Sequence, residues 1–285
     1  LDLTIQKMIV IVDCAIQFWV APPAIQFWSP LSRTVPSEGD APMPFTDKTA
    51  LVTGSTTGIG ARVARLLAAQ GADVVVSGRN AERGDAIVQE ITAAGGRARF
   101  VPAELADLTS VRALAEEAGD VHVLVNNAAI FPMAPTVDQD DTSFEAAFAV
   151  NVRAPFFLTA ALAPGMVDRG SGAIVNVSTM AAQVGMAGLA VYSATKAALD
   201  SLTRTWTAEL AGSGVRVNSV SPGPTATEMS VSMGEEVLAQ IAATTAMGRL
   251  ADPAEIARAI AFVASDEASY ITGAILAADG GRTAI

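Results

Sequence analysis

From Thr49 onward the chain alternates between two hydrophobic rhythms. Short, largely β-branched runs fall at Thr49–Thr53, Asp73–Ser77, Arg99–Pro102, Val121–Asn126, Gly172–Ser178, Arg216–Ser221 and Ile275–Ala278. Between them, Ile59–Gln70, Ala81–Ala94, Leu108–Glu117, Ala154–Asp168, Ser193–Leu210 and Pro253–Ala264 carry apolar positions at helical period, and Asp252-Pro253 is a good helix start. Strand and helix in strict alternation predict βαβ units. The expected fold is therefore a single α/β domain, a doubly wound, Rossmann-type parallel sheet of seven strands with helices on both faces.

The first 45 residues break this rhythm. They hold a direct repeat, Ala15-Ile16-Gln17-Phe18-Trp19 and Ala24-Ile25-Gln26-Phe27-Trp28, separated by Val20-Ala21-Pro22-Pro23. A membrane anchor is opposed by Asp13, which costs roughly 2.5 to 3.5 kcal/mol at mid-span, and by Pro22-Pro23, which interrupts a continuous helix. No basic region or small-residue cleavage site marks a signal peptide. Residues 1–45 are expected to be an irregular extension outside the fold, with a natural start at Met43 and residues 1–42 dispensable. Residues 46–285 are expected to be the folded domain.

Composition narrows the partners. At 285 residues with 51% hydrophobic content the chain is long enough for a large core, and a net charge of -11 opposes nucleic-acid binding. Small molecules are the expected partners, and neither nucleic acid nor membrane is expected. One cysteine, Cys14, forms no internal disulfide and no thiolate metal cluster, which is compatible with a reducing cytoplasm. The lone His122, inside Val121-His122-Val123-Leu124-Val125, is expected to be a packed strand residue.

Two short stretches carry chemistry. After the first strand, Thr53-Gly54-Ser55-Thr56-Thr57-Gly58-Ile59-Gly60 opens directly into a helix, a turn that offers backbone N–H groups and a helix N-terminus to a pyrophosphate. Its G-x-x-x-G-x-G spacing is not the commoner G-x-G-x-x-G. Farther on, Tyr192 and Lys196 stand four residues apart in Ala190-Val191-Tyr192-Ser193-Ala194-Thr195-Lys196. On a helix they share one face, so the ammonium reaches toward the phenol.

With these motifs the chain resembles the short-chain dehydrogenase/reductase family from about Lys48 to Arg282. The likeness is also carried by Asn126-Asn127-Ala128-Ala129, by Asn151 in Val150-Asn151-Val152, by Pro222-Gly223-Pro224-Thr225-Ala226-Thr227 and by Asp279-Gly280-Gly281. The resemblance implies that Tyr192 exchanges a proton while a nicotinamide cofactor exchanges a hydride. It gives Lys196 a second role on the nicotinamide ribose and has Asn151 anchor a water relaying protons toward Lys196. Bringing a phenol from near 10 to near 7 takes about 4 kcal/mol, which the lysine and the cofactor's positive ring are expected to supply.

The family's usual serine, thirteen residues before the tyrosine, falls on Thr179 in Val177-Ser178-Thr179-Met180. Thr179 is preferred over Ser178 as the hydroxyl that orients the substrate carbonyl, since neighbours on a strand face opposite ways. For the cofactor, the resemblance implies contacts from Gly54, Ser55, Thr57, Gly58, Ile59 and Gly60 in the turn, and from Glu104 and Leu105 near the adenine. Asn126 and Ala128 fall toward the ribose; Pro222, Gly223 and Thr227 fall at the carboxamide. Glu104 departs from the family's aspartate. Gly78 stands where NAD-using relatives carry aspartate and Arg79 follows, a guanidinium suited to a 2′-phosphate, so NADP is expected over NAD.

Glu228–Met247, with Met229, Met233, Val237, Leu238 and Ile241, is expected to cover the substrate as an apolar lid. The residues Ala194, Ala197, Ala198, Ser201, Leu202, Thr205 and Trp206 form a stripe on Ser193–Leu210 which, with the equivalent face of Ala154–Asp168, is expected to join copies into a homotetramer or homodimer, the alternative being that the stripe faces the sheet. A carbonyl or keto reductase similar to 3-oxoacyl-carrier-protein reductase is the leading expectation. An NAD-dependent sugar or alcohol dehydrogenase and a non-catalytic nucleotide sensor are the alternatives. A hydrolase is disfavoured, because there is no G-x-S-x-G elbow.

Overall fold

The computed structural model describes residues 43–231 and 234–285. The direct repeat, Cys14 and the rest of residues 1–42 lie outside the described residues, as do Met233 and the side chain of Met229. The described residues form a seven-stranded parallel sheet in the order β3-β2-β1-β4-β5-β6-β7. The strands are β1 (Thr49–Thr53), β2 (Asp73–Gly78), β3 (Arg97–Pro102), β4 (Val123–Asn126), β5 (Gly172–Val177), β6 (Val215–Pro222) and β7 (Ile275–Ala278). Strand order reverses between β1 and β4, where Leu51 pairs with Val75 on one side and Leu124 on the other. In open sheets of this kind ligands bind outside the carboxyl ends at such a reversal.

Alternation along each strand divides the core in two. Val52, Val74, Val76 and Val175 face a layer built by α1 (Gly58–Ala69), α2 (Ala81–Ala93) and α9 (Pro253–Ala264), with Val63, Leu67, Ile256 and Ile260 buried among them. Leu51, Val75, Leu124 and Ile174 face the opposite layer. That layer comprises α3 (Leu108–Ala118), α5 (Ala154–Arg169) and α6 (Ala190–Leu210), which contribute Leu114, Leu158, Leu199 and Trp206. Each fully buried side chain of this size contributes about 1.5–3 kcal/mol, so both layers are held by the strands' period of two.

β3 begins two residues earlier than its apolar run suggested, and β4 two residues later. His122 lies just outside β4; its Nδ1 accepts from the Thr49 N–H at 3.1 Å, and burial lowers its proton affinity, so it is a neutral packing residue. A helix that the sequence reading lacked, α4 (Asp141–Phe148), precedes α5, capped by Asp140, whose carboxylate accepts from the Ser143 N–H at 2.8 Å. Its apolar stripe is faint because Ala147 is its one buried residue. A π-helical turn, Ala149–Arg153, joins it to α5, and half of the most apolar window in the continuous Asp141–Arg169 run is buried inside the protein, as in a core helix. The Glu228–Met247 stretch holds α7 (Glu228–Val231) and α8 (Glu235–Ala242).

Candidate active site

The glycine turn leaves β1 and enters α1 with two positions that only glycine fills. Gly54 has φ of 63° and a Cβ there would lie 2.8 Å from Ala128 Cα; at Gly60 it would lie 2.4 Å from the Gly54 carbonyl oxygen. Thr57, the N-cap of α1, makes no side-chain capping bond, and no acid occupies the first turn. By contrast α2 and α3 are capped by Asn80 and Asp107, and α9 has a full capping box at Asp252. The first N–H groups of α1 are therefore free to receive an anion. They open onto a cavity of about 350 Å³ that reaches Gly78, Arg79, Glu104, Leu105 and Ala128. An uncapped helix end, a glycine cradle and a basic residue at the far end fit a dinucleotide.

Two residues expected at the cofactor do not face this cavity. Ser55 is buried; its hydroxyl donates to the Val52 carbonyl at 2.7 Å and accepts from the Ser77 N–H at 2.9 Å, so it braces the turn against β2. Asn126 is also buried, and its amide donates to the Asn176 side-chain oxygen at 2.9 Å, inside the sheet. The next residue, Asn127, points the other way, donating to the Thr53 and Gly54 carbonyls at 2.8 and 3.1 Å while lining the cavity. At the adenine end, Glu104 accepts from the Ala106 N–H at 3.1 Å, and its other oxygen lies 3.7 Å from the Arg79 guanidinium.

A second cavity of about 300 Å³ adjoins the first, and Ile59, Asn127, Ala129 and Thr227 line both. Thr179, Tyr192, Lys196, Pro222 and Gly223 line the second. The Tyr192 ring packs edge-on against Phe131 with centroids 4.6 Å apart. The Thr179 hydroxyl lowers the proton affinity of the Tyr192 phenol with which it shares this cavity; Ser178 borders the cavity too, but its hydroxyl is buried without a hydrogen-bond partner. Lys196 is fully buried beneath, its ammonium donating to the Val177 carbonyl at 2.6 Å and lying 5.9 Å from the tyrosine ring centroid.

The lowering of the phenol was expected from the lysine and the cofactor's ring together, and in the protein alone burial dominates both groups. Burial pushes the Tyr192 phenol up to about 12, outweighing the Thr179 hydrogen bond, and burial lowers the Lys196 ammonium to about 8. Without another positive charge the tyrosine stays protonated. The Asn151 carboxamide is satisfied within the protein. Its amide donates to the Ile130 carbonyl at 2.9 Å and to Thr195 Oγ1 at 3.1 Å, while its oxygen accepts from the Ile130 N–H at 2.9 Å. The carboxamide is thus spent on the β4 exit loop and α6, which leaves backbone groups of the π-helical turn, Asn151's own among them, as the ones that would hold a water.

In the proposed lid, Ile241 and Ser230 face the tyrosine cavity, whereas Val237 is exposed. Phe131, Met186, Leu189 and Leu250 complete its apolar wall. These were not singled out from the sequence, because they sit in loops and at helix starts where no period betrays a facing.

A family model described as enoyl-(acyl carrier protein) reductase matches residues 54–283. The cis-4-hydroxycyclohexanecarboxylate dehydrogenase of Sinomonas cyclohexanicum is 43% identical over 246 residues, 85% of this chain and 98% of that enzyme. A solved structure described as a short chain dehydrogenase/reductase family protein is 53% identical with a TM-score of 0.81, covering 85% of this chain and 100% of that one. A blue fluorescent protein from a metagenomic library, solved in complex with NADPH, is 38% identical with a TM-score of 0.79 over 84% of this chain and 99% of its own. The chain belongs to the short-chain dehydrogenase/reductase family of oxidoreductases.

Proposed function

We propose that the protein transfers a hydride between NADP(H) and a ketone or secondary alcohol, with Tyr192 as general acid/base. The observation that carries this reading is the convergence of the Tyr192 phenol and the Thr179 hydroxyl in one cavity, above a buried Lys196 and beside the glycine cradle. A nicotinamide cofactor, when bound, supplies or accepts the hydride. Thr179 and Tyr192 hold the carbonyl oxygen, and Tyr192 gives or takes its proton. Lys196 keeps donors beyond the one spent on Val177 for a ribose hydroxyl. The wall of Phe131, Met180, Met186, Leu189, Ile241 and Leu250 favours an apolar carbonyl compound over a polyol, and the Sinomonas relative acts on a ring alcohol by name.

The test is Tyr192→Phe, which keeps the ring and removes the proton. Turnover falls by about 10²–10⁴-fold with the circular dichroism spectrum unchanged; retention of most activity sinks the assignment. Because burial holds the phenol protonated, ketone reduction is expected to be supported at neutral pH and alcohol oxidation to rise as pH increases.

NADP is favoured by Arg79 and by the absence of an acid at Gly78. The Arg79–Glu104 approach favours the second reading, NAD use, because it gives the guanidinium a carboxylate partner in place of a phosphate. The ratio of kcat/KM for NADPH over NADH decides. A ratio above one that falls about tenfold in Arg79→Ala supports NADP, the low end for a charge-assisted contact because Arg79 is exposed. A ratio below one in the parent protein transfers the reading to NAD.

A further inference from the structure

The α6 helix carries Tyr192, Lys196, Asp200 and Arg204 at successive four-residue steps, so a phenol, a cation, an anion and a second cation stand one turn apart on neighbouring surface. The first two belong to the site already described and Arg204 is exposed. Asp200 is different: it is 5% exposed, it does not line the substrate cavity, and the proposed reaction leaves it without a task. Ser219 on β6 donates to its Oδ1 at 2.8 Å. The Ser178 hydroxyl, one residue past β5, is buried without a hydrogen-bond partner, and it lowers the proton affinity of the same carboxylate. The charged groups acting on it are Lys196 and Arg204, both on its own helix; β5 and β6 present only hydroxyls.

We propose that Asp200 is a buried positioning residue that keeps Lys196 charged and sets the pH range in which the Tyr192–Lys196 pair works. This rests on the reading of Tyr192 given above. Geometry and electrostatics support it together. The carboxylate is the anion that opposes the loss of the Lys196 proton, and burial raises its own proton affinity while the two serines and Arg204 restrain that rise. A negative charge in a low-dielectric interior raises the proton affinity of a cation beside it. Removing it lowers that of Lys196, and a Lys196 that gives up its proton no longer stabilises the Tyr192 anion one turn away, so the phenol's proton affinity rises.

The chain contains two tyrosines, and the other, Tyr270, is fully exposed. In Tyr270→Phe protein loaded with oxidised NADP, or with NAD if the preference is reversed, the ultraviolet absorbance of tyrosinate reports Tyr192 alone, without substrate. Adding Asp200→Asn is expected to move the titration midpoint to higher pH by about half a unit to two units, because a Lys196 that has lost its proton no longer stabilises the anion. Asp200→Glu keeps the charge and the parent midpoint. The pH profile of alcohol oxidation should move in the same direction. An unmoved midpoint in Asp200→Asn, even with lowered turnover, overturns the proposal and leaves the aspartate a packing residue. If that variant does not fold, Asp200→Ser serves, since it removes the same charge with a smaller side chain; the midpoint rises in the same way, and no movement again overturns the idea. Tyr192→Phe in parallel separates the two readings. Retained turnover there removes the tyrosine's role, whereas lost turnover with an unmoved Asp200→Asn midpoint removes only that of Asp200.

Discussion

Single residues in this site are read best through which way they face. Thr179 and Ser178 both border the tyrosine cavity, but the Thr179 hydroxyl acts on the Tyr192 phenol whereas the Ser178 hydroxyl is buried and acts on the Asp200 carboxylate. Thr179→Val should therefore cost at least about tenfold in kcat/KM with Thr179→Ser largely active, whereas Ser178→Ala should spare substrate binding; a crippled Ser178→Ala beside a healthy Thr179→Val would reverse the assignment. Facing also tempers cofactor redesign at Gly78. A Cβ there lies 2.8 Å from the Thr56 methyl, so Gly78→Asp alone strains the turn, and the switch toward NADH is expected in full only with Thr56→Ser beside it. Tyr192 and Lys196 were legible from sequence because a helix fixes the facing of positions four apart. Ser55 and Asn126 were not: a motif records which residues occur, while their side chains turned inward to satisfy buried backbone and amide groups that the motif does not mention.

At the level of elements, α6 does two jobs with two faces. Val191, Thr195, Lys196, Leu199 and Thr203 are buried, while Ala194, Ala197, Ser201 and Thr205 are exposed and of the proposed stripe only Trp206 is buried. The stripe thus does not face the sheet. Beside it Phe148, Val152, Phe156, Phe157 and Leu202 line an open apolar groove of about 580 Å³, and Phe156 is 42% exposed. The proposed self-association through α5 and α6 uses this face. Light scattering at micromolar concentration should show a dimer or tetramer, and Phe156→Glu should shift it to monomer with the helix content intact; a monomeric parent protein ends the proposal. The strands and most helices were evident in the chain because burial on a parallel sheet imposes strong apolar runs. The α4 helix was hidden, since an element that buries one alanine writes almost no pattern.

Across the whole molecule, seven strands and their two helical layers bring four distant segments to the carboxyl ends of the strands: the glycine turn, the Asn127–Phe131 loop, the Thr179–Tyr192 region and the Pro222–Thr227 turn. That assembly followed from the alternating rhythm, but the joining of two cavities through Ile59, Asn127, Ala129 and Thr227 depends on loop geometry that no period encodes. The shared wall has a kinetic consequence. A dinucleotide spanning the cradle would form the floor of the tyrosine cavity, and a substrate arriving first would meet an unfinished surface. Turnover should accordingly follow a compulsory order, nucleotide on first and off last. In initial-rate studies the oxidised and reduced nucleotides would compete with each other, and the alcohol and ketone would not compete with nucleotide. Calorimetry should find the ketone binding only in the presence of nucleotide; equally tight binding to the bare protein would mean that the two cavities act as independent sites.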